Sequence, residues 1–388
     1  HRDLHSFPTR RSSDLRASPV SPGATVASAA EASGYTGTAA GATSAAASPS
    51  TSRLSLSDTA AIPYRTDPSP PPRRSGCTLG TPSMLFTQRL KNCAEQVDAR
   101  LLAHLGQIVD LTGESNAVPG RLVAAMRHAV LGGGKRIRPF LVLESAALFD
   151  VPAARALDCA AALEFVHSYS LAHDDLPAMD NDEMRRGQPT VWKAFDEWTA
   201  ILAGDALQTL AFEILARPAA HPDANVRTAL VVALARASGA AGMAGGQALD
   251  LEADKLGIPS SPAIDHIRRL QGMKTGALLV FACEAGAILA GADTSHRDAL
   301  RRYGMALGLA FQIADDLLDA EGDAATVGKA VAKDAAANKA TLVSLMGLEA
   351  AREKLAATER DAIEALAPFG SRADVLRQAA AFVVSRKS

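Results

Sequence analysis

Two stretches of this sequence gather carboxylates in a pattern that points to chemistry. The first runs from Leu171 to Gly187, where Asp174, Asp175, Asp180, Asp182 and Glu183 are followed at once by Arg185 and Arg186. The second runs from Phe311 to Asp319 and carries Asp315, Asp316 and Asp319. Each closes an apolar run, Ala160 to Val166 in one case and Met305 to Phe311 in the other. A carboxylate delivered by a core helix needs a strong partner, because burying unpaired charge costs several kcal/mol. Divalent cations are natural partners. Mg²⁺ takes oxygen ligands, keeps waters and bridges to substrate phosphates.

Spacing separates the two clusters. Asp315 and Asp319 are i and i+4, so they project from one helix face, with Asp316 offset at the same end. Asp175 and Asp180 stand about 140° apart on an ideal helix. Pro177 lies between them and biases Leu176 away from helical geometry. The helix is therefore expected to end near Asp175, with a short turn returning Asp180 to the same metals.

A metal–phosphate site also needs cations. Gly132-Gly133-Gly134-Lys135-Arg136-Ile137-Arg138-Pro139 offers three beside glycines that permit close backbone approach, at the start of a predicted helix whose dipole favours anions. The spacing is not that of a Walker A loop, and no strand precedes it. Arg185 and Arg186 are placed to clamp phosphate bidentately. Lys274 precedes Thr275-Gly276, and Lys329 lies just past the second cluster.

The elements that must position these groups are helices. Ala is abundant and aromatics are only 4%, which favours helix over sheet. Apolar periodicity predicts helices near 85–110, 119–131, 137–149, 153–176, 190–216, 223–238, 240–256, 262–291, 295–320, 341–367 and 372–386, with no alternating strand. Ser261-Pro262 reads as a helix start, and Ser295 with Asp298 and Ser371 with Asp374 have capping-box spacing. The expectation is one all-α domain, a large bundle with a site between its helices, over residues 84–388.

Forty basic against 42 acidic residues leave no nucleic-acid footprint. The four cysteines, Cys77, Cys93, Cys159 and Cys283, are scattered. They fit a reducing, cytoplasmic setting with neither zinc site nor disulfide framework. No uninterrupted apolar stretch reaches the roughly 18–20 residues of a membrane span. Residues 1–83 differ, being rich in Ser, Pro, Ala, Gly, Thr and Arg, a composition expected to be disordered. Their Ser and Arg content would suit a transit peptide. His5 to Leu15, however, resembles the in-frame translation of a sequencing adapter, and helical periodicity begins at once after Met84. Met84 is therefore expected to be the true start.

Taken together, these motifs resemble the trans-isoprenyl diphosphate synthases, most closely their bacterial short-chain, farnesyl-forming branch. The likeness spans Met84 to Lys387. It rests on Gly133 to Pro139, the DDxxxxD cluster, Leu202-Ala203-Gly204-Asp205-Ala206-Leu207-Gln208, Gly245-Gly246-Gln247-Ala248-Leu249-Asp250, Lys274-Thr275-Gly276, the DDxxD cluster and Gly328-Lys329. The resemblance implies an isoprenoid-synthase bundle that works as a homodimer on isopentenyl diphosphate and allylic diphosphates. It implies about three Mg²⁺, with Mn²⁺ as a substitute, held by Asp174, Asp175, Asp180 and Asp315, with Asp316 and Asp319 as further candidates. Arg185, Lys274 and Lys329 would complete the grip on the allylic diphosphate. Lys135, Arg138, His167 and Arg186 would bind the isopentenyl diphosphate, and Thr275 and Gln312 would line the carbocation's path.

Tyr169 lies about 7.5 Å along a helix before Asp174, with Ser170 one residue nearer. An aromatic there accompanies farnesyl products in this family, so the residue is expected to stop chain growth. The alternatives are a geranylgeranyl synthase, a catalytically silent regulatory subunit, which should have lost carboxylates that this chain keeps, and a head-to-head condensing enzyme. Gln188 and Trp192 stand where relatives often have Lys and His, and Ala340-Thr341-Leu342 replaces an aromatic-bearing segment.

Overall fold

The computed structural model describes residues 82–108, 118–326 and 340–385. The chain divides into two units, His1–Arg74 and Ser75–Ser388, and every described element belongs to the second. Residues 1–81, like Lys329 and most of the segment 322–340, lie outside the described residues.

The described chain is helical, as periodicity predicts. It runs through α1 (Pro82–Gly106), α2 (Gly120–Leu131), α3 (Ile137–Ala147) and α4 (Ala153–Asp174). A short hairpin, β1 (Met184–Arg185) with β2 (Gln188–Pro189), leads into α5 (Val191–Ala194), α6 (Glu197–Ala216) and α7 (Ala224–Ser238). After α8 (Met243–Leu256) and α9 (Ile264–Gln271), a π-helical turn at Gly272–Gly276 opens into α10 (Ala277–Leu289). The long α11 (Thr294–Thr326) follows, then α12 (Leu342–Met346), α13 (Leu348–Ala365), a 3₁₀ segment at Ala367–Ala373 and α14 (Asp374–Ser385).

The core forms where α4 packs on α3 and α6, and α10 packs on α3 and α11. Leu163, Phe165 and Val166 of α4, Leu278 and Cys283 of α10, and Phe140 and Leu141 of α3 are all at most 1% exposed. Helices apolar on nearly every face are buried ones, and α10, buried at eleven of its thirteen residues, is of that kind. Tyr303 of α11 is fully buried, its hydroxyl donating to the carbonyl of Leu376 at 2.7 Å and tying α14 to the bundle. Cys93, Cys159 and Cys283 are free and buried, and burial pushes each thiol well up, to about 12 for Cys93 and Cys159.

Several local expectations are corrected. The predicted helix 190–216 breaks at Phe195, because Asp196 caps a new helix by accepting from the Thr199 N–H at 2.8 Å. The helix 262–291 is interrupted by the π-turn, and 341–367 splits at Gly347, whose φ is +84°. Ser261 does not cap, since α9 starts at Ile264. Asp293, rather than Ser295 with Asp298, accepts from the His296 N–H at the start of α11, while Asp298 pairs with Arg301. Asp374 opens α14 after the 3₁₀ segment and pairs with Arg377.

The membrane reading also needs correction. Glu197–Ala216, Ala224–Leu256 and Ile264–Leu289 are long and apolar enough to cross a membrane by length and composition. Contiguous apolar runs understate such helices, whose scattered polar residues barely lower the average. Two-thirds of the Ile264–Leu289 window (67%) and half of the Glu197–Ala216 window (50%) are buried inside the protein. Of the Ala224–Leu256 window 39% is buried, so core packing accounts best for the apolarity of the other two.

Candidate active site

Helix α4 ends at Asp174, and the chain folds back as its sequence requires. The N–H of Asp180 donates to the carbonyl of Asp174 at 2.8 Å, and those of Met179 and Asn181 donate to that of Leu176. Asp180 is thereby returned beside Asp174. Burial, with Asp180 and Asp175 nearby, raises the Asp174 carboxyl to about 6 despite the opposing pull of Lys274. A carboxyl so placed gains strongly from a bound cation.

Asp175 takes a different path. It is 2% exposed and accepts from Arg185, whose Nη2 lies 2.6 Å away. The hairpin explains why Arg185 reaches it. Arg186 and Gly187 have φ of +51° and +78°, the two left-handed positions of a type I′ turn. Gly187 makes that turn easy; Arg186 adopts it because it donates to the carbonyl of Gly133. Neighbouring arginines therefore point to different partners, Arg185 to Asp175 and Arg186 to the glycine-rich loop. The indole N–H of Trp192 donates to the Asp182 carbonyl at 2.8 Å, securing the far side of the hairpin.

The glycine-rich loop contains a second divergence. Arg136 takes a left-handed φ of +50° and turns into the core, with ion pairs to Asp98 at 2.8 Å and Glu164 at 2.5 Å and a bond to the Val130 carbonyl. It is scaffold, so the three expected cations become two. Arg138, in the first turn of α3, faces the cavity. Its Nη1 lies 3.4 Å from His167 Nε2, and its buried Nε has no hydrogen-bond partner. Burial lowers the Arg138 guanidinium's affinity for its proton, with Arg186 adding to the effect. Burial and four arginines hold His167 well below the ordinary histidine range, so it is neutral and accepts at Nε2. Arg138, half-buried, and Arg186, exposed, flank that imidazole and form a seat for an anion.

The cavity has three adjoining lobes. The first, about 600 Å³, is lined by Gly134, Lys135, Arg138, His167, Arg186 and Phe382 among others. The second, about 400 Å³, shares Arg138 and His167 with the first and adds Tyr169, Ser170, Asp174, Met179, Gln247, Lys274 and Thr275. The third, about 630 Å³, shares Lys274 and Thr275 with the second and adds Asp250, Gln312, Asp316 and Asp319. Shared walls set the three side by side. The π-turn sets Lys274 and Thr275 at the junction, as π-turns at functional sites often do.

Asp316 accepts from Gln271 Nε2 at 3.3 Å and from the Leu342 N–H at 3.2 Å, and burial raises its carboxyl. It thus ties α11 to the start of α12. Asp315 stands one residue earlier on α11, outside the residues lining the third lobe. Among the described residues no three acid, histidine or cysteine side chains converge closely enough to hold a metal alone. Lys329 lies outside the described residues.

Three further residues shape the site. Asp250 pairs with Lys274 Nζ at 2.5 Å, Gln247 projects into the second lobe, and His173 Nε2 donates to the Ile201 carbonyl at 2.9 Å. Asp250 and Gln247 belong to a motif visible in the sequence and sit i, i+3 on α8, a signal for shared facing. Lys255 Nζ donates to the Met179 carbonyl at 2.8 Å, steadying the aspartate turn from α8.

Comparisons with known proteins give the chain a family. Residues 119–379 match the family model described as polyprenyl synthetase. The farnesyl diphosphate synthase of Escherichia coli (strain K12) is 43% identical over 311 residues, covering 78% of this chain and 99% of that relative. Geranylgeranyl pyrophosphate synthase 9, chloroplastic, of Arabidopsis thaliana is 39% identical over 272 residues, covering 69% of this chain and 75% of that relative. A solved FPP/GFPP synthase from Zymomonas mobilis superposes with a TM-score of 0.68 at 45% identity, covering 78% of this chain and 100% of that one. With residues 119–379 matched by the family model and 43% identity to a relative covered almost end to end, the chain belongs to the polyprenyl synthetase family.

Proposed function

We propose that the protein is a Mg²⁺-dependent prenyltransferase that condenses isopentenyl diphosphate with dimethylallyl and geranyl diphosphate, giving farnesyl diphosphate. One observation carries the reading. A cation-lined lobe containing the buried, unpartnered Nε of Arg138 adjoins a lobe that combines Asp174 with Lys274 and Thr275. Two chemically distinct anion seats in one cavity suit two diphosphates, only one of which needs metal.

Lys135, Arg138, His167 and Arg186 hold the isopentenyl diphosphate. Asp174 and Asp180 on one wall, with Asp319, Asp316 and Asp315 on the other, would hold about three Mg²⁺. Bound there, Mg²⁺ or Mn²⁺ supplies positive charge that stabilises a departing diphosphate. Arg185, Lys274 and Lys329 complete the grip on that group. The allylic C1–O bond breaks with its electron pair on diphosphate, the isopentenyl double bond attacks C1, and the released diphosphate takes the proton. Thr275 and Gln312 face the cation while the apolar wall excludes water. Asp175 acts by orienting Arg185. The setting is cytoplasmic and the assembly a homodimer.

Incubating the protein with Mg²⁺, isopentenyl diphosphate and a C5 or C10 allylic diphosphate, then sizing the product, tests this. A C15 product is expected. A C20 main product would replace the farnesyl assignment with a geranylgeranyl one. No condensation product from folded protein would leave a regulatory subunit.

A further inference from the structure

One polar side chain in the cavity lacks a task in the account above. Gln247 is 8% exposed, and both its Oε1 and Nε2 are buried without a hydrogen-bond partner. Native proteins satisfy nearly all buried amides, so an amide satisfied at neither end and facing a cavity is matched to something that enters it. Its place is rigid. A methyl on neighbouring Gly246 would collide with the backbone nitrogen of Lys274, and Asp250, one turn on, holds Lys274 Nζ at 2.5 Å. α8 is thus fastened to the π-turn on both sides of Gln247. The amide shares the second lobe with Tyr169, Ser170, Asp174 and Thr275.

The residue type is informative. A carboxylate here would add charge beside Asp174 and present a nucleophile to a carbocation; an apolar chain would offer no dipole. A neutral amide presents a carbonyl oxygen to positive charge and an N–H to negative charge. We propose that Gln247 is a catalytic residue of the ionisation step. Its Oε1 faces the allylic carbons on which positive charge develops, and its Nε2 donates to an oxygen of the departing diphosphate. The C1–O bond breaks with its electron pair on that diphosphate, and Gln247 forms no covalent bond. This assignment rests on the proposed function, which supplies the allylic diphosphate.

Gln247→Met keeps the length and removes both polar atoms. For the full chain, kcat, the KM for geranyl diphosphate, the affinity for inorganic diphosphate with Mg²⁺ by calorimetry, and the melting temperature are compared with wild type. Expected is a fall in kcat of at least tenfold, toward the roughly hundredfold loss typical of one preorganised donor. KM and diphosphate affinity should stay within about twofold, and the melting temperature should hold or rise. A kcat within twofold of wild type overturns the assignment. So does a parallel loss of diphosphate affinity, which would make Gln247 part of the headgroup seat, or a loss of fold, which would make it structural. A wild-type chain that binds Mg²⁺ and diphosphate but yields no condensation product overturns the function, and this assignment with it.

Discussion

Tyr169 and Arg136 show how much a single side chain's direction matters. Tyr169 is 8% exposed and lines the second lobe, its ring edge-on to His173 at 5.8 Å between centroids. Burial, with Asp174 nearby, raises its phenol, an effect that the Gln208 side chain partly opposes. A ring so fixed near Asp174 is a floor for a growing chain. Tyr169→Ala should therefore shift the main product from C15 to C20, read by chromatography, at a stability cost of about 3 kcal/mol for the lost aromatic packing. An unchanged C15 product would remove Tyr169 from this role. Arg136 carries the opposite lesson. In sequence it is one of three equivalent cations, and only its left-handed backbone turns it to Asp98 and Glu164.

At the scale of elements, the site depends on two irregularities. The type I′ hairpin splits Arg185 from Arg186, and the π-turn between α9 and α10 swings Lys274 and Thr275 to the junction of two lobes. Pairing of α8 with that turn needs Gly246, where any side chain meets the Lys274 backbone. Gly246→Ala should destabilise the protein by about 1–3 kcal/mol, as overpacking does, and should also cut turnover by moving Lys274 from Asp250. Urea unfolding followed by a turnover assay checks both. A variant as stable and active as wild type would mean that the two helices separate freely. The hairpin had one legible sign, Arg-Gly between Met184 and Pro189, but two-residue strands fall below any alternating pattern. The π-turn had none, because one extra residue in a helical turn leaves apolar periodicity almost intact.

At the scale of the molecule, α6 leaves Trp198, Ile201 and Leu202 exposed by 59%, 43% and 47%. Spaced i, i+3 and i+4, they form one apolar stripe on the exposed face of that helix. If this face joins the proposed homodimer, Leu202→Glu should halve the mass seen by light scattering while the helical content stays unchanged. A wild type that is already monomeric would remove the dimer.

The sequence by itself determined the helical class, the approximate span of most helices, the two carboxylate clusters and the Pro177 turn. These depend on local rules: apolar period, proline geometry, and the cost of burying charge without a partner. It also placed Lys135, Arg138, His167, Tyr169, Asp174 and Lys274 among the candidates that the fold brings to one cavity. Only the tertiary structure decided which charges neutralise one another and which stay open to a ligand. Asp175 is bound to Arg185, Arg136 to Glu164 and Asp250 to Lys274, whereas Arg138 and Gln247 keep buried atoms unpaired. Those pairings join residues distant along the chain, and their geometry is set by helix crossings that no local pattern encodes.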